Sequence, residues 1–158
     1  MNNTLIQNWN SVVNNEDEVY ILGDVSWGNL QETKEILIQL KGIKYLIKGN
    51  HDQIFPETNK KNEIFQWVKN YAEINDNGRK VVLSHYPIIM YNHQFRNGYM
   101  IYGHVHGTLS ETVTRDQIRL AQDNGIPCKI YNAWGGYYNY TPVTLEQMIE
   151  VYEKMGYY

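Results

Sequence analysis

The chain has 158 residues, of which 42% are hydrophobic and 20% are charged, an ordinary composition for a globular domain with its own core. Its net charge of −3 provides no overall basic field, so the composition does not favour a nucleic-acid-binding protein. No apolar run approaches the ~18 residues of a membrane-spanning helix. The N-terminus lacks the pattern of a signal peptide, and the single cysteine, Cys128, fits a reducing compartment. We therefore expect one cytoplasmic domain over residues 1–158, with no membrane association.

Helical and strand patterns alternate along the first half of the chain. An amphipathic helical pattern covers residues 5–13, and the apolar run at 19–22 predicts a short buried strand. A second helix is predicted over residues 30–40, with Asn29 as its N-cap, and a second strand over residues 43–47. This alternation predicts α/β architecture.

The middle of the chain continues with a predicted third helix over residues 59–70, because apolar side chains recur there at helical spacing. Asn77-Gly78 is a dipeptide typical of hairpin turns. Apolar runs at 80–83 and 99–102 predict two more buried strands.

The last third of the chain is less regular. Residues 110–125 are polar, and their spacing permits either a short helix or a mobile loop. Residues 127–133 predict a strand, and residues 137–140 are a candidate for another. Thr144 and Gln147 form a capping-box pattern that predicts a final helix to about residue 155.

A polar cluster follows each of four predicted strands: Asp24, then Asn50-His51-Asp52, then His85, then His104 with His106. In α/β sheets ligands bind outside the carboxyl ends of the strands, so we expect these clusters to lie at one edge. Carboxylate, amide and imidazole ligands suit divalent manganese, zinc or iron, and the lack of a thiolate argues against a structural zinc site. Taken singly, an aspartate such as Asp24 after Gly23 is more typical of a turn or a helix cap than of a metal ligand. The four strand ends together favour a metal site.

These clusters resemble the motifs of the calcineurin-like metallophosphoesterase family. The motifs of that family run D-x-H, GD, GNH[DE], a lone histidine and GHxH. The last four stand here in order, as Gly23-Asp24, Gly49 to Asp52, His85 and Gly103 to His106. Residues 138–143, Tyr-Asn-Tyr-Thr-Pro-Val, resemble the segment that precedes the final helix in small bacterial and phage phosphoesterases.

The resemblance implies a β-sandwich flanked by helices, with a two-metal centre at the strand ends. It implies that Asp24 bridges both ions. Asn50, His85 and His104 would complete one site, and His106 would belong to the other. The implied cofactors are two divalent metal ions, with Mn²⁺ preferred and Fe or Zn as alternatives.

The resemblance also implies the reaction, which is hydrolysis of a phosphate mono- or diester by metal-activated water. His51 would protonate the leaving group or hold the phosphate, and Asp52 would orient His51. The implied partner is a small phosphate ester or a nucleotide. The loop residues Tyr86, Tyr91, His93 and Arg96 are candidates for substrate contacts or for packing of their own loop.

One motif of the family has no counterpart here, because the chain contains no Asp-x-His. The D-x-H motif of the family lies on its first strand, so we expect that strand to be missing. An N-terminally shortened enzyme and a natural short form with one metal site are both open, and we favour the first. The alternative functions are a non-catalytic metal- or phosphate-binding remnant and a phage-type nuclease. A missing strand also makes self-association into a homo-oligomer plausible.

Overall fold

The computed structural model describes residues 2–157. Their helices are α1 (Asn2–Val12), α2 (Leu30–Leu37), α3 (Leu109–Asp123) and α4 (Leu145–Lys154). Their strands are β1 (Glu18–Ile21), β2 (Ile43–Ile47), β3 (Phe65–Lys69), β4 (Tyr71–Asp76), β5 (Arg79–Ser84), β6 (Tyr99–Tyr102) and β7 (Ile130–Asn132). None of these helices combines the length and the hydropathy that crossing a bilayer requires.

The strands form two sheets. The first sheet has three strands in the order β1-β2-β3, and both of its pairings are parallel. The second has four strands in the order β4-β5-β6-β7, in which β4 and β5 are antiparallel and the other pairings are parallel. Parallel strands end at the same edge, so β1 and β2 of one sheet and β5 and β6 of the other each bring their following loops together.

The two sheets pack face to face between helices, which confirms the predicted fold class. Ile47 of the first sheet and Leu22, which directly follows β1, share one core cluster with Val81 and Leu83 of the second sheet. Helix α4 adds Leu145, Met148 and Tyr152 to that cluster. The opposite face of the second sheet packs on α3, and that of the first sheet packs on α2. Alternating side chains along the strands supply both faces, as the pleat requires.

The capping box predicted at the last helix is present. The hydroxyl oxygen of Thr144 accepts a hydrogen bond from the backbone N–H of Gln147 at 3.3 Å, and the Gln147 side-chain oxygen accepts from the N–H of Thr144 at 2.9 Å. The cap fixes the start of α4, where buried Leu145 enters the core.

Thr144→Ala is expected to lower the free energy of unfolding by about 1 kcal/mol, since it removes the acceptor for a helix-end N–H group. For a chain of this size that corresponds to a fall of roughly 2–4 °C in the melting temperature. Thr144→Ser keeps the hydroxyl oxygen and is the matched control. Equal melting temperatures for the alanine and serine variants would contradict a stabilising role for the cap.

The predicted helix over residues 59–70 is wrong. Residues 65–69 instead form β3, and the segment before it pairs with β3 through two backbone hydrogen bonds between Thr58 and Val68. A register irregularity in the pairing of β2 and β3 places both Phe65 and Val68 in the core although they are three residues apart. Because three-residue spacing is also typical of helices, the bulged strand mimics a helical pattern.

The candidate strand at residues 137–140 is also wrong. Residues Gly135–Tyr138 form a 3-10 helix, closed by Asn139 and Tyr140 with φ of 51° and 53°. Tyr138 is buried there, and its hydroxyl donates to the carbonyl oxygen of Asn132 at 2.8 Å. The apolar residues of this segment therefore serve a turn that packs on the core.

Two other predictions about the chain are decided by the structure. Residues 109–123 form helix α3, so of the two alternatives for this segment the helix is correct. The turn at Asn77-Gly78 is confirmed, with φ of 51° and 87°, and it joins β4 to β5. Two consecutive positive φ angles are the geometry that favours this dipeptide in hairpins.

Candidate metal centre

The loops after four strands meet at one edge of the two sheets. Asp24 follows β1 and Asn50 follows β2, while His85 and His104 follow β5 and β6. The loops after β5 and β6 are joined by two hydrogen bonds. The backbone N–H groups of Gly103 and His104 donate to the carbonyl oxygen of His85 at 3.1 and 2.9 Å. Asp24, Asn50, His85 and His104 are thereby brought together.

The Nε2 atom of His85 lies at the centre of this group. It is 3.0 Å from Nδ1 of His104, 3.1 Å from Oδ1 of Asn50 and 3.5 Å from Oδ2 of Asp24. The ligand atoms of Asp24, His85 and His104 all lie within 4.8 Å of one another. We call Asp24, Asn50, His85 and His104 the ligand cluster.

The tautomer of His85 is set by its other nitrogen. Nδ1 lies 2.7 Å from the carbonyl oxygen of Leu22, which can only accept, so Nδ1 carries the proton. In the neutral ring Nε2 then has a free lone pair, and it faces the amide oxygen of Asn50 and the carboxylate of Asp24, which also accept. A group of acceptors directed at one another is electrostatically unfavourable without a cation. The cluster therefore fits a metal ion.

The environment of His104 favours the form that binds metals. Partial burial lowers the pKa of His104, and the neighbouring imidazole of His85 lowers it further, against the opposing effect of the Asp24 carboxylate. A neutral imidazole is the metal-binding form of histidine. His85 is 1% exposed, so the interior side of the cluster is shielded from water.

Two glycines allow the loops after β1 and β2 to come this close. A Cβ on Gly49 would lie 2.2 Å from Oδ1 of Asp24, and a Cβ on Gly23 would lie 2.3 Å from Nδ1 of His85. Gly23 also has a φ of 91°, in the left-handed region that favours glycine. The glycines of the Gly-Asp and Gly-Asn-His-Asp motifs thus serve close packing of the two loops.

Asp52 joins the same two loops by hydrogen bonds. Its carboxylate is 1% exposed and accepts from the backbone N–H groups of Asp24 at 2.8 Å, Val25 at 2.9 Å and Gly49 at 2.8 Å. The sequence suggested that Asp52 orients His51. The structure directs its carboxylate to three backbone donors, which lie in the loops that carry Asp24 and Asn50.

His51 lies at the exposed side of the cluster. Its backbone N–H donates to Oδ1 of Asp24 at 3.0 Å, which ties the residue to the loop after β1. Its ring packs against Trp27, with the ring centroids 3.7 Å apart. The backbone of His51 is therefore in contact with the ligand cluster, and the residue is open to solvent.

His106 lies apart from the other candidate ligands. It is exposed, and its ring stacks on Trp134 with centroids 6.1 Å apart and an angle of 16° between the ring planes. Among the described residues, the group of converging metal-binding side chains contains Asp24, His85 and His104 but not His106. The structure thus brings together one predicted ligand set and leaves His106 outside it.

Sequence reasoning missed two contributors to this site. The carbonyl oxygen of Leu22 sets the tautomer of His85, and no side-chain pattern signals a backbone contact of this kind. Trp27, whose ring packs on His51, was also missed. The available signal was a tryptophan between Ser26 and Gly28, residues typical of a surface turn.

Comparisons with known proteins agree with this geometry. Residues 2–122 match the sequence profile of the calcineurin-like phosphoesterase superfamily domain. An uncharacterized protein of Methanocaldococcus jannaschii is 33% identical over 157 residues, covering 98% of this chain and 76% of that protein. The Gene 66 protein of Mycobacterium phage L5 is 30% identical over 162 residues, covering 84% of this chain and 73% of that protein.

A solved structure resembles the fold. The crystal structure of a protein of unknown function from Aquifex aeolicus superposes with a TM-score of 0.64, covering 95% of this chain and 84% of that chain. The sequences are 24% identical, so the likeness concerns the fold alone.

Proposed function

The chain belongs to the calcineurin-like phosphoesterase superfamily, and on this premise we propose that it hydrolyses a phosphate mono- or diester with the help of a divalent metal ion. The observation that carries the proposal is the ligand cluster, in which the lone pair of His85 Nε2 faces two acceptor oxygens and a second imidazole. A carboxylate, an amide oxygen and two imidazoles that converge in this way are a set of ligands suited to a divalent cation.

The chemistry of the donor set supports manganese as the bound ion. One carboxylate, one amide oxygen and two imidazoles suit hard or borderline divalent ions, with iron and zinc as alternatives to Mn²⁺. The chemistry that such an ion supplies is Lewis-acid stabilisation of the phosphoryl charge and activation of water. Cys128 is buried beside Gln94, with its sulfur 3.4 Å from the amide nitrogen of Gln94, and so takes no part in this donor set.

The residues around the cluster supply binding and proton transfer. We assign His51 the role of proton donor to the leaving-group oxygen. Its ring is exposed, and its backbone N–H is hydrogen-bonded to Asp24 of the ligand cluster. Asp52 holds the two loops in register, so that Asp24 and Asn50 stay directed at His85. We also propose that His106, whose ring stacks on Trp134, would help Asp24 to hold a second metal ion.

His51→Ala is expected to lower kcat for Mn²⁺-dependent hydrolysis of diphenyl phosphate by roughly 10²–10⁴-fold, the usual contribution of a general acid. The loss on bis(p-nitrophenyl) phosphate should be smaller, because nitrophenolate is a stable anion that leaves without a proton. Mn²⁺ affinity should persist, since the His51 ring is not part of the ligand cluster. Steady-state rates on both esters and a Mn²⁺ titration test this.

The control is His93→Ala. The ring of His93 contacts the carboxylate of Glu73 at 3.2 Å, outside the ligand cluster, so of its two candidate roles we assign it packing of its own loop rather than substrate contact. This variant should retain the wild-type rates on both esters. Equal losses on the two esters in His51→Ala would contradict the proton-donor role and favour phosphate binding. A folded wild-type protein that binds Mn²⁺ but hydrolyses neither ester would contradict the proposed function and favour the non-catalytic alternative.

A further inference from the structure

Trp27 is an exposed aromatic residue at the mouth of the ligand cluster. It is 77% exposed, yet its ring packs on the imidazole of His51 at 3.7 Å between centroids. Most of a large apolar ring therefore faces solvent beside the proposed catalytic group. A single exposed aromatic ring is ordinary on a protein surface, and it is the contact with His51 that distinguishes Trp27.

The turn that carries Trp27 is well defined. The hydroxyl oxygen of Ser26 accepts from the backbone N–H of Gly28 at 2.9 Å, on the two sides of Trp27. Asn29 then caps α2, with its side-chain oxygen accepting from the N–H of Glu32 at 2.9 Å. The tryptophan is thus presented from a turn that is hydrogen-bonded on its own and continuous with a helix.

A second exposed aromatic residue, Tyr86, lies beside the two histidines of the ligand cluster. Tyr86 is 49% exposed, and its ring centroid is 5.0 Å from that of His85 and 4.6 Å from that of His104. Its hydroxyl lies 3.4 Å from Oδ1 of Asn50. Trp27 contacts His51 and Tyr86 contacts Asn50, so two aromatic rings border consecutive residues of the central motif.

We propose that Trp27 and Tyr86 form a stacking platform for a nucleobase, so that the substrate of this site is a nucleoside phosphate ester. Exposed aromatic faces favour planar π systems, and stacking of bases on aromatic side chains is largely independent of base identity. The ligand cluster, which Tyr86 contacts directly and which lies next to His51 in the same loop, takes the phosphate. This inference rests on the proposed phosphoesterase function. The net charge of −3 does not favour long polyanions, which points to a base next to the scissile phosphate rather than an extended strand.

Direct binding tests the platform without requiring turnover. The ligands are the non-hydrolysable phosphonate analogues of thymidine 5′-phosphate and of 1,2-dideoxyribose 5-phosphate, in which hydrogen replaces the base. Calorimetric titration of the Mn²⁺-loaded full chain should give an affinity for the thymidine ligand about 10-fold higher, the size typical of a single stacking contact. The ratio should fall towards one in Trp27→Ala and stay near the wild-type value in Trp27→Phe.

The matched control is Phe95→Ala. Phe95 is 75% exposed and lies in the 3-10 helix Gln94–Arg96, which precedes the start of β6. The ligand cluster lies at the opposite, carboxyl end of that strand, where His104 follows it. This variant should keep the wild-type ratio. Equal affinities for the two ligands in the wild-type protein would overturn the proposal. So would an affinity ratio in Trp27→Ala that equals the wild-type ratio, and so would a failure of both ligands to bind.

The experiment also separates this inference from the proposed function. Hydrolysis of bis(p-nitrophenyl) phosphate without any preference for the thymidine ligand would leave the function standing and overturn the platform. A titration with a single-stranded thymidine decamer distinguishes free nucleotides from the end of a nucleic-acid strand as the source of the nucleoside phosphate. An affinity per site equal to that of the mononucleotide assigns the ligand to free nucleotides, and a higher affinity assigns it to the end of a strand.

Discussion

His85→Asn should reduce the affinity for Mn²⁺ by more than about 100-fold and abolish metal-dependent turnover. An asparagine amide can donate to the carbonyl oxygen of Leu22 in place of Nδ1, so the contact that fixes residue 85 is retained. The Nε2 lone pair at the centre of the ligand cluster is removed. Since substitutions that merely support metal ligands already cost roughly 10–100-fold in affinity, loss of a central ligand should cost more.

The matched control is His93→Asn. His93 has a φ of 64°, which asparagine tolerates better than most residues, and its ring contacts Glu73 outside the ligand cluster. Its Mn²⁺ affinity should equal that of the wild-type protein in a calorimetric titration, with circular dichroism verifying that both variants are folded. Wild-type affinity in His85→Asn would show that the metal does not bind at this cluster.

Asp52→Ala is expected to destabilise the protein by about 3–5 kcal/mol, because it leaves three backbone N–H groups at the centre of the site without their acceptor. At roughly 2–4 °C per kcal/mol for a chain of this size, the melting temperature should fall by about 6–20 °C. Metal binding should weaken as well, since the loops that carry Asp24 and Asn50 lose their connection. Thermal unfolding with and without Mn²⁺ measures both effects.

Asp116→Ala provides the comparison for this substitution. Asp116 is an exposed aspartate on α3, and its removal should change the free energy of unfolding by less than about 0.5 kcal/mol. Asp52→Asn should fall between the two, because it keeps one acceptor oxygen but places an amide N–H₂ group among backbone donors. Similar melting temperatures for Asp52→Ala and Asp116→Ala would contradict the assigned role of Asp52.

The position of the site was predictable from the sequence because it depends on a simple rule. Short apolar runs marked β1, β2, β5 and β6, and parallel strands that end at one edge bring the residues after them together. The rule needs only the ends of the strands, so it held for Asp24, Asn50, His85 and His104 even though the exact strand boundaries differ.

The errors in the fold arose where tertiary pairing outweighed the local pattern. In β3, the register irregularity against β2 buries Phe65 and Val68 together, and their spacing then resembles a helix. At residues 135–138, a pair of glycines and left-handed Asn139 turn an apolar segment into a 3-10 helix. The first outcome depends on pairing with β2, which lies about 20 residues away and which the segment itself cannot reveal. The second depends on the local backbone conformation, in which left-handed Asn139 closes the 3-10 helix.

The fine structure of the site was unpredictable for a related reason. The contacts of Asp52 with Asp24 and Val25 join residues 28 and 27 positions apart, and the contact of Trp27 with His51 spans two loops. Loop conformation decides such contacts. The motif therefore identified which residues converge. The contacts of Asp52 with the loop backbone and of Trp27 with His51 became visible only in the folded chain.

Anomalous diffraction at the manganese absorption edge, from crystals of the full chain grown with Mn²⁺, tests the central claim most directly. We expect an anomalous peak in contact with Oδ2 of Asp24, Oδ1 of Asn50, Nε2 of His85 and Nδ1 of His104. A second peak between Asp24 and His106 would add the second site proposed for the reaction. A manganese peak elsewhere in the molecule with none at the ligand cluster would contradict the assignment of this cluster as the metal centre.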